Sequence, residues 1–444
     1  MTPEERQFLR EFYRALDFGP LEPADPKRVP LYEGDDVSDT DPVELLARAI
    51  EWSLEPTVQL LSGFRGTGKS TELLRLQRRL QGSGFLVVLF DIEKYVNLTT
   101  PIEVSDFLMA LAGAVGEQMK EPELLGKDAT REGYWERFSH FLTETRVEFE
   151  DLKGKLGPVE LKAALKDDPS FKQRLQKRMV GHVASLKNHV YGYLEDCVRQ
   201  LQKKHGETTD VVLLVDSMEH IRGTYGNEDD VHRSVENLFC SHADKLHLPN
   251  LHVVYTIPPF LKVRYPNLSS LYTPGGVQVL PAVKLYEDHD ERTRRDAGFD
   301  AMARVVAGRG DWEKLLGDRG VLDRLIEASG GHLRDLLRLL AEVVRRAEQL
   351  PVLKRTVDAA IDQIRNEFLP VADADAAWLA RIAESRRASL RDKELLGDFA
   401  RFLDTHTVLC YRNGHEWYDV HPLVRDVVLE QAAALDADGD DGAP

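Results

Sequence analysis

One short segment holds the residue types that can grip a phosphate group. It reads Gly63-Phe64-Arg65-Gly66-Thr67-Gly68-Lys69-Ser70-Thr71 and fits the pattern G-x-x-x-x-G-K-S/T at every fixed position. Its glycines let the backbone curl so that several N–H groups face one anion, and a helix beginning near Lys69 adds its positive end. Lys69 would bridge the β- and γ-phosphates of a nucleotide, and Ser70 would offer its hydroxyl to Mg²⁺. The alternative is a chance glycine-rich turn.

Two carboxylates follow another apolar run and complete a candidate hydrolytic set with Lys69. Asp216 ends the run at residues 211–215. A buried strand would therefore deliver it to the carboxyl edge of a sheet, where it would hold Mg²⁺ together with Ser70. Glu219 would accept a proton from the attacking water, with His220 as a weaker rival. The structural alternatives are a turn-capping Asp216 and a solvated loop position for Glu219.

Two more side chains are candidates for contact with the nucleotide. Thr256 stands at the tip of an apolar run at residues 251–255 and would orient water near the γ-phosphate. Arg334 follows Gly330-Gly331, which break and restart a helix, so it would reach back to the phosphates from a first turn. The alternatives are an ordinary strand-end threonine and a surface salt bridge. Three arginines would form either a finger toward a neighbouring subunit or a solvated helix face: Arg292, Arg294 and Arg295.

The bulk composition narrows the class of protein. A chain of 444 residues suggests two or three domains, and 42% hydrophobic with 30% charged residues is typical of globular ones. Three cysteines without a CxxC pair argue against a disulfide framework and a thiolate zinc site. The N-terminus is polar, and no apolar run reaches the roughly 18 residues of a membrane span. We therefore expect a soluble, cytoplasmic protein with no membrane partner.

Strand-like and helical segments alternate through the first part of the chain. Helices are expected at 4–16, 42–52 and 71–80, and strands at 57–62, 85–90, 211–215, 251–256 and, at an edge, 277–280. This alternation implies a parallel, three-layered α/β sheet. Between residues 119 and 205 the pattern is charged and helical, which predicts a helical insertion in the sheet domain. A hairpin of two long helices is one arrangement that would fit this pattern. Within it, residues 171–201 have helical spacing for about eight turns.

The second part of the chain changes pattern twice. Residues 290–350 are helical only, residues 379–403 read as two helices, and residues 408–412 and 417–420 read as strands. Asn413-Gly414 between the strands is a two-residue hairpin signal. A final helix follows His421-Pro422. This order predicts a winged helix, and the acidic tail at 436–444 is expected to be disordered.

Taken together, these motifs resemble the AAA+ and STAND branch of P-loop ATPases, over about residues 40–434 without the insertion. Within that branch the chain is similar to origin-recognition ATPases and to the NACHT and resistance-protein switches. The resemblance implies an α/β fold with a three-layer P-loop NTPase parallel sheet, a long helical insertion, a helical lid and a C-terminal winged-helix domain. The expected boundaries are an N-terminal lead-in at 1–50, an ATPase core at 51–289 (insertion 119–205), a lid at 290–355, a winged helix at 356–434 and a tail at 435–444.

Two details favour the switch side of the resemblance. Residues 216–219 resemble a switch-type Walker B motif, with a second acid three residues after the first. Residues 418–426 resemble the Met-His-Asp motif, whose histidine touches a bound diphosphate and holds the closed form. The resemblance thus implies nucleotide contact by His421, although Pro422 replaces the motif's aspartate. One departure is Ile257-Pro258-Pro259 after Thr256, with no arginine where many switch ATPases carry one.

The leading expectation is a slow ATPase that acts as a molecular switch, with ATP or ADP and Mg²⁺ as cofactors and bacterial defence as a plausible setting. A protein partner or effector would dock on the insertion or the winged helix, and assembly into homo- or hetero-oligomers would depend on the nucleotide. The alternative is a DNA-acting AAA+ ATPase, an origin- or transposition-type loader. The net charge of −17, and 8 Lys/Arg against 11 Asp/Glu at residues 371–430, disfavour DNA. A third possibility is a scaffold that binds nucleotide without cleaving it.

Overall fold

The computed structural model describes residues 1–33, 40–126, 158–224, 226–272, 276–288, 292–388 and 396–440. The chain divides into two compact units. The sheet unit comprises Val43–Gly63 and Glu72–Val279. The lid unit comprises Met1–Pro42, Phe64–Thr71 and Leu280–Pro444, so the phosphate-loop segment groups with it.

A five-stranded sheet organises the sheet unit. Its strands are β1 (Val58–Gly63), β2 (Leu86–Asp91), β3 (Val211–Asp216), β4 (His252–Ile257) and β5 (Val277–Leu280). Their order is β2-β3-β4-β1-β5, and the pairings β2–β3, β3–β4 and β4–β1 are parallel. Every residue of β1, β3 and β4 is buried, as expected for central parallel strands. The predicted α/β class, the parallel sheet and the edge position of β5 are confirmed.

Helices complete the sheet unit. They are α2 (Pro42–Glu51), α3 (Lys69–Gly82), α4 (Val104–Gln118), α5 (Pro158–Asp167), α6 (Pro169–Met179), α7 (Val183–His205), α8 (Glu228–Glu236) and α9 (Pro259–Arg264). The first residue of α2 and the first three of α3 group with the lid unit. The described part of the predicted insertion is helical, but residues 171–201 are not one continuous helix. A turn at Val180-Gly181 separates α6 from α7, and Gly181 has φ +80°. Residues 127–157 lie outside the described residues.

The lid unit is built of helices and one hairpin. Its helices are α1 (Pro3–Ala15), α10 (Asp296–Ala307), α11 (Trp312–Leu316), α12 (Arg319–Ala328), α13 (Leu333–Arg346), α14 (Lys354–Arg365), α15 (Asp373–Ser385), α16 (Leu396–Asp404) and α17 (Pro422–Asp440). The strands β6 (Val408–Asn413) and β7 (His415–Val420) pair antiparallel. The helix–helix–hairpin–helix order expected of a winged helix is thus present in α15, α16, β6–β7 and α17.

Two local details of this last module differ from expectation. Asn413 pairs with His415, so Gly414 alone forms the tip of the hairpin instead of a two-residue turn. Helix α17 continues to Asp440, so residues 436–440 of the expected disordered tail are helical. Residues 441–444 lie outside the described residues.

The start of α13 is packed tightly against neighbouring backbone. A Cβ on Gly331 would lie 1.9 Å from the carbonyl oxygen of Val283, and Gly331 has φ +75°, so only glycine fits there. The Tyr411 hydroxyl of β6 donates to the Gly330 carbonyl at 2.6 Å. The glycine pair therefore brings the hairpin and the first turn of α13 together.

Cys197, Cys240 and Cys410 are all free thiols. Among the described residues, no helix has both the length and the apolar content to cross a membrane.

Candidate nucleotide site

The phosphate-loop segment adopts the curled backbone that its glycines predict. Gly66 and Gly68 have φ +98° and +97°, and α3 begins at Lys69. The Thr67 N–H and hydroxyl both donate to the Phe64 carbonyl, at 3.3 and 3.0 Å. The buried Lys69 ammonium donates to the same oxygen at 2.6 Å. These contacts close the loop on itself and leave a helix start directly behind it, the arrangement that favours an anion.

The N-terminal segment of the lid unit also contacts this loop. The buried Tyr32 hydroxyl lies 3.1 Å from the Thr67 carbonyl and 2.9 Å from the Pro281 carbonyl. The Leu21 N–H donates to the Thr71 hydroxyl at 3.1 Å. Sequence reasoning assigned no role to Tyr32 or Leu21, because nothing in the residues around them links them to the loop.

Arg334 lies against the loop, as its place on the first turn of α13 predicts. A Cβ on Gly66 would stand 2.5 Å from the Arg334 Cβ and 3.0 Å from its Nε. Leu333 approaches Gly68 in the same way, at 3.6 Å. Helix α13 therefore begins beside the two positive-φ glycines of the loop.

His332 occupies the N-cap position of α13, and its side chain contacts the backbone of the phosphate loop. Its Nε2 lies 3.0 Å from the Arg65 carbonyl oxygen, and its Nδ1 lies 2.7 Å from Asp335 Oδ2. Both oxygens accept, so both ring nitrogens must donate for both bonds to form. His332 is fully buried. The sequence pattern pointed to Gly330-Gly331 and Arg334, but it gave no role to the histidine between them.

Asp335 is a buried carboxylate that faces the side chains of His332, His421 and Arg338. Burial acts to raise its pKa, but the charges and hydrogen bonds of His332 and His421 outweigh it, and the pKa lies well below the ordinary value. The Arg338 guanidinium donates to Asp335 Oδ1 at 3.1 Å and also pairs with Glu367. Asp335 is therefore ionised, and its charge is matched from several sides.

His421 belongs to this cluster and contacts Asp335 instead of the loop. Its Nε2 lies 3.4 Å from Asp335 Oδ2, a close polar contact outside good hydrogen-bond geometry. Its Nδ1 accepts from the Leu423 N–H at 3.2 Å, and its ring stacks on Phe368 at 4.8 Å. The Met-His-Asp resemblance thus identified a residue connected to the loop, but through Asp335 and His332.

A third histidine stands beside the loop. The His406 ring packs edge-on against Phe64 and His332, with centroids 5.6 and 4.8 Å away. Burial, followed by the charge of His332, lowers its pKa well below the ordinary value, so the ring is neutral. It follows α16 in a left-handed conformation, at φ +59°. No sequence motif marks it.

His332, Asp335 and His406 also lie close enough to be considered as a metal site. Their candidate ligand atoms all lie within 4.8 Å of one another. Donation from both nitrogens of His332 to oxygen leaves no lone pair for a metal, and Arg338 already occupies the carboxylate. Hydrogen bonds account for His332 and Asp335, and ring contacts account for His406.

The carboxyl edge of the sheet carries the remaining candidates, all within the sheet unit. Asp216 ends β3 and accepts the Ser217 N–H at 2.8 Å. Ser217 has φ +71°, a conformation rare outside glycine, and it turns the chain into a short helix at Met218–His220 that holds Glu219. Thr256 accepts the Met218 N–H at 2.9 Å and lies 3.4 Å from the Val215 carbonyl. Thr256 therefore fixes the turn that carries Glu219.

Two side chains near Glu219 shape its surroundings. His220 Nδ1 lies 2.8 Å from Glu93 Oε2, and its Nε2 lies 3.8 Å from Glu219 Oε1. On the neighbouring strand, Asp91 pairs in register with Asp216. Neither Asp91 nor Glu93 was singled out in the sequence, because the pairing of β2 with β3 is not evident from either strand alone.

The three arginines considered as a finger make contacts within the lid unit. Arg292 pairs with Asp419 at 3.3 Å, Arg294 with Asp323 at 2.6 Å, and Arg295 with Glu287 at 3.0 Å. Arg294 also lies over the Phe299 ring at 3.5 Å. These pairs connect parts of the lid unit to one another.

The predicted residues thus gather into two groups. In the lid unit, the loop from Phe64 to Thr71, Arg334 and, through Asp335, His421 are brought together. In the sheet unit, Asp216, Glu219 and Thr256 lie at one sheet edge, where β1 also ends at Gly63. Tyr32, His332, Asp335 and His406 are the contacts that sequence reasoning missed.

Comparisons with known proteins add fold-level likeness only. No protein-family model matches the chain, and no curated protein matches its sequence. The Walker-type ATPase PABY2304 of Pyrococcus abyssi is 16% identical, covering 94% of this chain and 99% of its own, with a TM-score of 0.45. The ADP form of the Aeropyrum pernix ORC2 protein is 10% identical, and the match covers 95% of this chain and 98% of that one, with a TM-score of 0.44. Cdc6p from Pyrobaculum aerophilum is 13% identical, and the match covers 94% of this chain and 97% of that one, with a TM-score of 0.39. Such likenesses assign the chain to no family.

Proposed function

We propose that the chain is a P-loop ATPase of the AAA+ type that binds ATP with Mg²⁺, hydrolyses it slowly, and uses the bound nucleotide to control its C-terminal winged helix. The observation that carries this proposal lies within the lid unit. The phosphate loop touches α13 at Gly66 and Arg65, and α13 touches the start of α17 at His421. The loop that would bind phosphate is thus joined by direct contacts, through α13, to the winged helix that would respond to the nucleotide.

Each polar residue has a part in the proposed reaction. Lys69 and the loop N–H groups hold the phosphates, and Arg334 is placed beside them to sense the terminal one. Ser70, in the lid unit, and Asp216, in the sheet unit, each offer the kind of hard oxygen ligand that suits Mg²⁺, an ion that would neutralise charge on the phosphates. Glu219 orients and deprotonates water, held by the turn that Thr256 and Ser217 fix.

The switch follows from differential affinity. A nucleotide shifts the balance between two packings of the winged helix only by binding one of them more tightly. ADP would favour the packing in which His421 is connected to the loop, and ATP would favour another. Hydrolysis would reset the switch.

The proposal is tested by binding and by assembly. Calorimetry should show ATP and ADP binding, and phosphate release should depend on Mg²⁺. Mass photometry with ATP, with ADP and without nucleotide should give different distributions of mass. A protein that binds neither nucleotide would refute the proposal, and one with the same mass in every state would be a static scaffold.

A DNA-acting ATPase is the second candidate, as the origin-recognition resemblance implies. Its specific support is the order of α15, α16, β6–β7 and α17, since a winged helix is a common way to present a helix to a DNA groove. Against it stands the acidic balance of residues 371–430.

A further inference from the structure

Four groups in the lid unit form an unbroken line of polar contacts. The Arg65 carbonyl of the loop meets His332 at 3.0 Å, His332 meets Asp335 at 2.7 Å, and Asp335 meets His421 at 3.4 Å. His332 and His421 are fully buried, and Asp335 is 2% exposed. Buried polar groups of this kind are costly to leave unpaired, so each member constrains its neighbours.

The two ends of the line belong to different functional parts. Arg65 lies inside the phosphate loop, between Gly63 and Gly66, so its carbonyl moves whenever the loop changes shape. His421 begins α17, and its backbone N–H donates to the Thr407 carbonyl before β6. Movement of the winged helix would therefore pull His421 from Asp335 and leave that buried carboxylate with less compensation.

We propose that His332 and Asp335 are positioning residues that couple the shape of the phosphate loop to the docking of the winged helix through His421. This inference rests on the proposed function and names the route of its regulation. Because coupling is reciprocal, a nucleotide that favours one loop shape strengthens docking of His421, and docking strengthens the binding of that nucleotide by the same factor.

The coupling explains how His421 can influence the nucleotide without touching it. The ring has its Nδ1 on the Leu423 N–H and its Nε2 toward Asp335. Neither nitrogen contacts the loop. Its effect on ADP therefore has to pass through Asp335 and His332, which makes the effect of one substitution depend on the presence of the other residues.

A double-mutant cycle on ADP affinity, measured by calorimetry, tests this dependence. His332→Ala and His421→Ala should each weaken ADP binding by about fivefold or more. The double variant should be no weaker than the worse single variant, because one substitution already breaks the line. Affinity for a nonhydrolysable ATP analogue should fall by a smaller factor, which a merely structural role would not produce.

Two further variants keep the test decisive if an alanine variant folds poorly. Asp335→Asn retains the shape of the side chain and removes its charge. In that background, His421→Ala should change ADP affinity by less than about twofold. His232→Ala removes a buried histidine of the sheet unit that packs on Phe260, and its effect should multiply with that of His332→Ala.

The outcomes separate the two proposals. If the parent binds neither ADP nor ATP, the proposed function fails. The proposed coupling through His332, Asp335 and His421, here called the relay, then fails with it. If the parent binds ADP but the effects of His332→Ala and His421→Ala multiply in the double variant, the relay alone is overturned. Equal losses for ADP and the ATP analogue, matched by lowered melting temperatures, would likewise reduce these residues to structural ones.

Discussion

Arg334 lies across the phosphate loop at Gly66, where a Cβ would stand 2.5 Å from the Arg334 Cβ. Gly66 also has φ +98°. The position therefore excludes any other residue for two separate reasons, one of backbone conformation and one of space. The first turn of α13 can reach the loop only because the side chain at position 66 is a hydrogen atom.

Gly66→Ala should consequently weaken ATP binding by about tenfold or more, since strain in the left-handed region costs roughly 1–2 kcal/mol before the clash is counted. Calorimetry and thermal melts measure the two effects. Gly84→Ala is a matched control for strain alone, because Gly84 has φ +91° with no atom within 4 Å of a Cβ. Gly82→Ala is the control without strain or clash, because Gly82 has no positive φ and no atom within 4 Å of a Cβ. Parental ATP affinity in Gly66→Ala would contradict the contact with Arg334.

Lys69→Ala should weaken ATP binding by about 2 kcal/mol or more, the scale of a lost charge-assisted contact. Lys69 is buried and its ammonium contacts the loop at the Phe64 carbonyl, so it lies within the proposed phosphate site. Calorimetry measures the loss, and exposed Lys166→Ala on α5 serves as the control. Equal ATP affinity in Lys69→Ala and the parent would refute the phosphate-loop assignment.

Asp216→Asn and Glu219→Gln should fail in different ways. Asp216→Asn should lose Mg²⁺-dependent turnover, whereas Glu219→Gln should retain nucleotide without cleaving it. Phosphate release and calorimetry on both variants separate the two roles. His220→Asn is the comparison, because His220 pairs with Glu93 beside Glu219. If Glu219→Gln releases phosphate at the parental rate, Glu219 is a loop acid and His220 becomes the next candidate base.

The parts of the site that sequence predicts are those encoded locally. The loop pattern fixes Lys69 at a helix start, and an apolar run that stops at Asp216 predicts a buried strand with an acid at its tip. Both depend on fewer than about ten consecutive residues, over which strand and helix periods are readable. The structure places both as predicted, at the start of α3 and the end of β3.

The parts that sequence does not predict depend on distant segments. Arg65, Asp335 and His421 meet only in the folded lid unit, and no spacing rule connects them. Asp335 and His332 also contradict the usual rule that polar residues lie outside, because each compensates the other. The break at Gly181 was missed for a different reason, since the apolar spacing continues through it.

Asp106 gives the protein a pH dependence away from the nucleotide site. Burial raises the pKa of Asp106 to about 6, although Lys172 and Gln176 act to lower it. A raised pKa means that the folded state binds the proton more tightly, so stability falls as pH rises through about 6. From pH 5 to pH 8, urea unfolding should show a loss on the order of 1–1.5 kcal/mol that Asp106→Asn lacks. Asp168→Asn is the control, because the hydrogen bond from Ser170 lowers the pKa of Asp168. An unchanged slope in Asp106→Asn would assign the effect to other groups.

Duplex DNA should bind weakly and only at low salt, a result that would favour a protein partner over DNA for the proposed winged helix. A protein that grips duplex releases counterions through its Lys and Arg contacts, yet residues 371–430 carry 8 basic against 11 acidic side chains in a chain of net charge −17. Within that stretch, Arg401 and Arg425 are further engaged with Asp375 and the Ala383 carbonyl. Fluorescence anisotropy with a labelled duplex, with and without ATP, measures the affinity across a salt series. Tight binding at about 150 mM salt that is lost in Arg412→Ala, on the hairpin, would overturn this expectation and make the DNA-acting ATPase the better description.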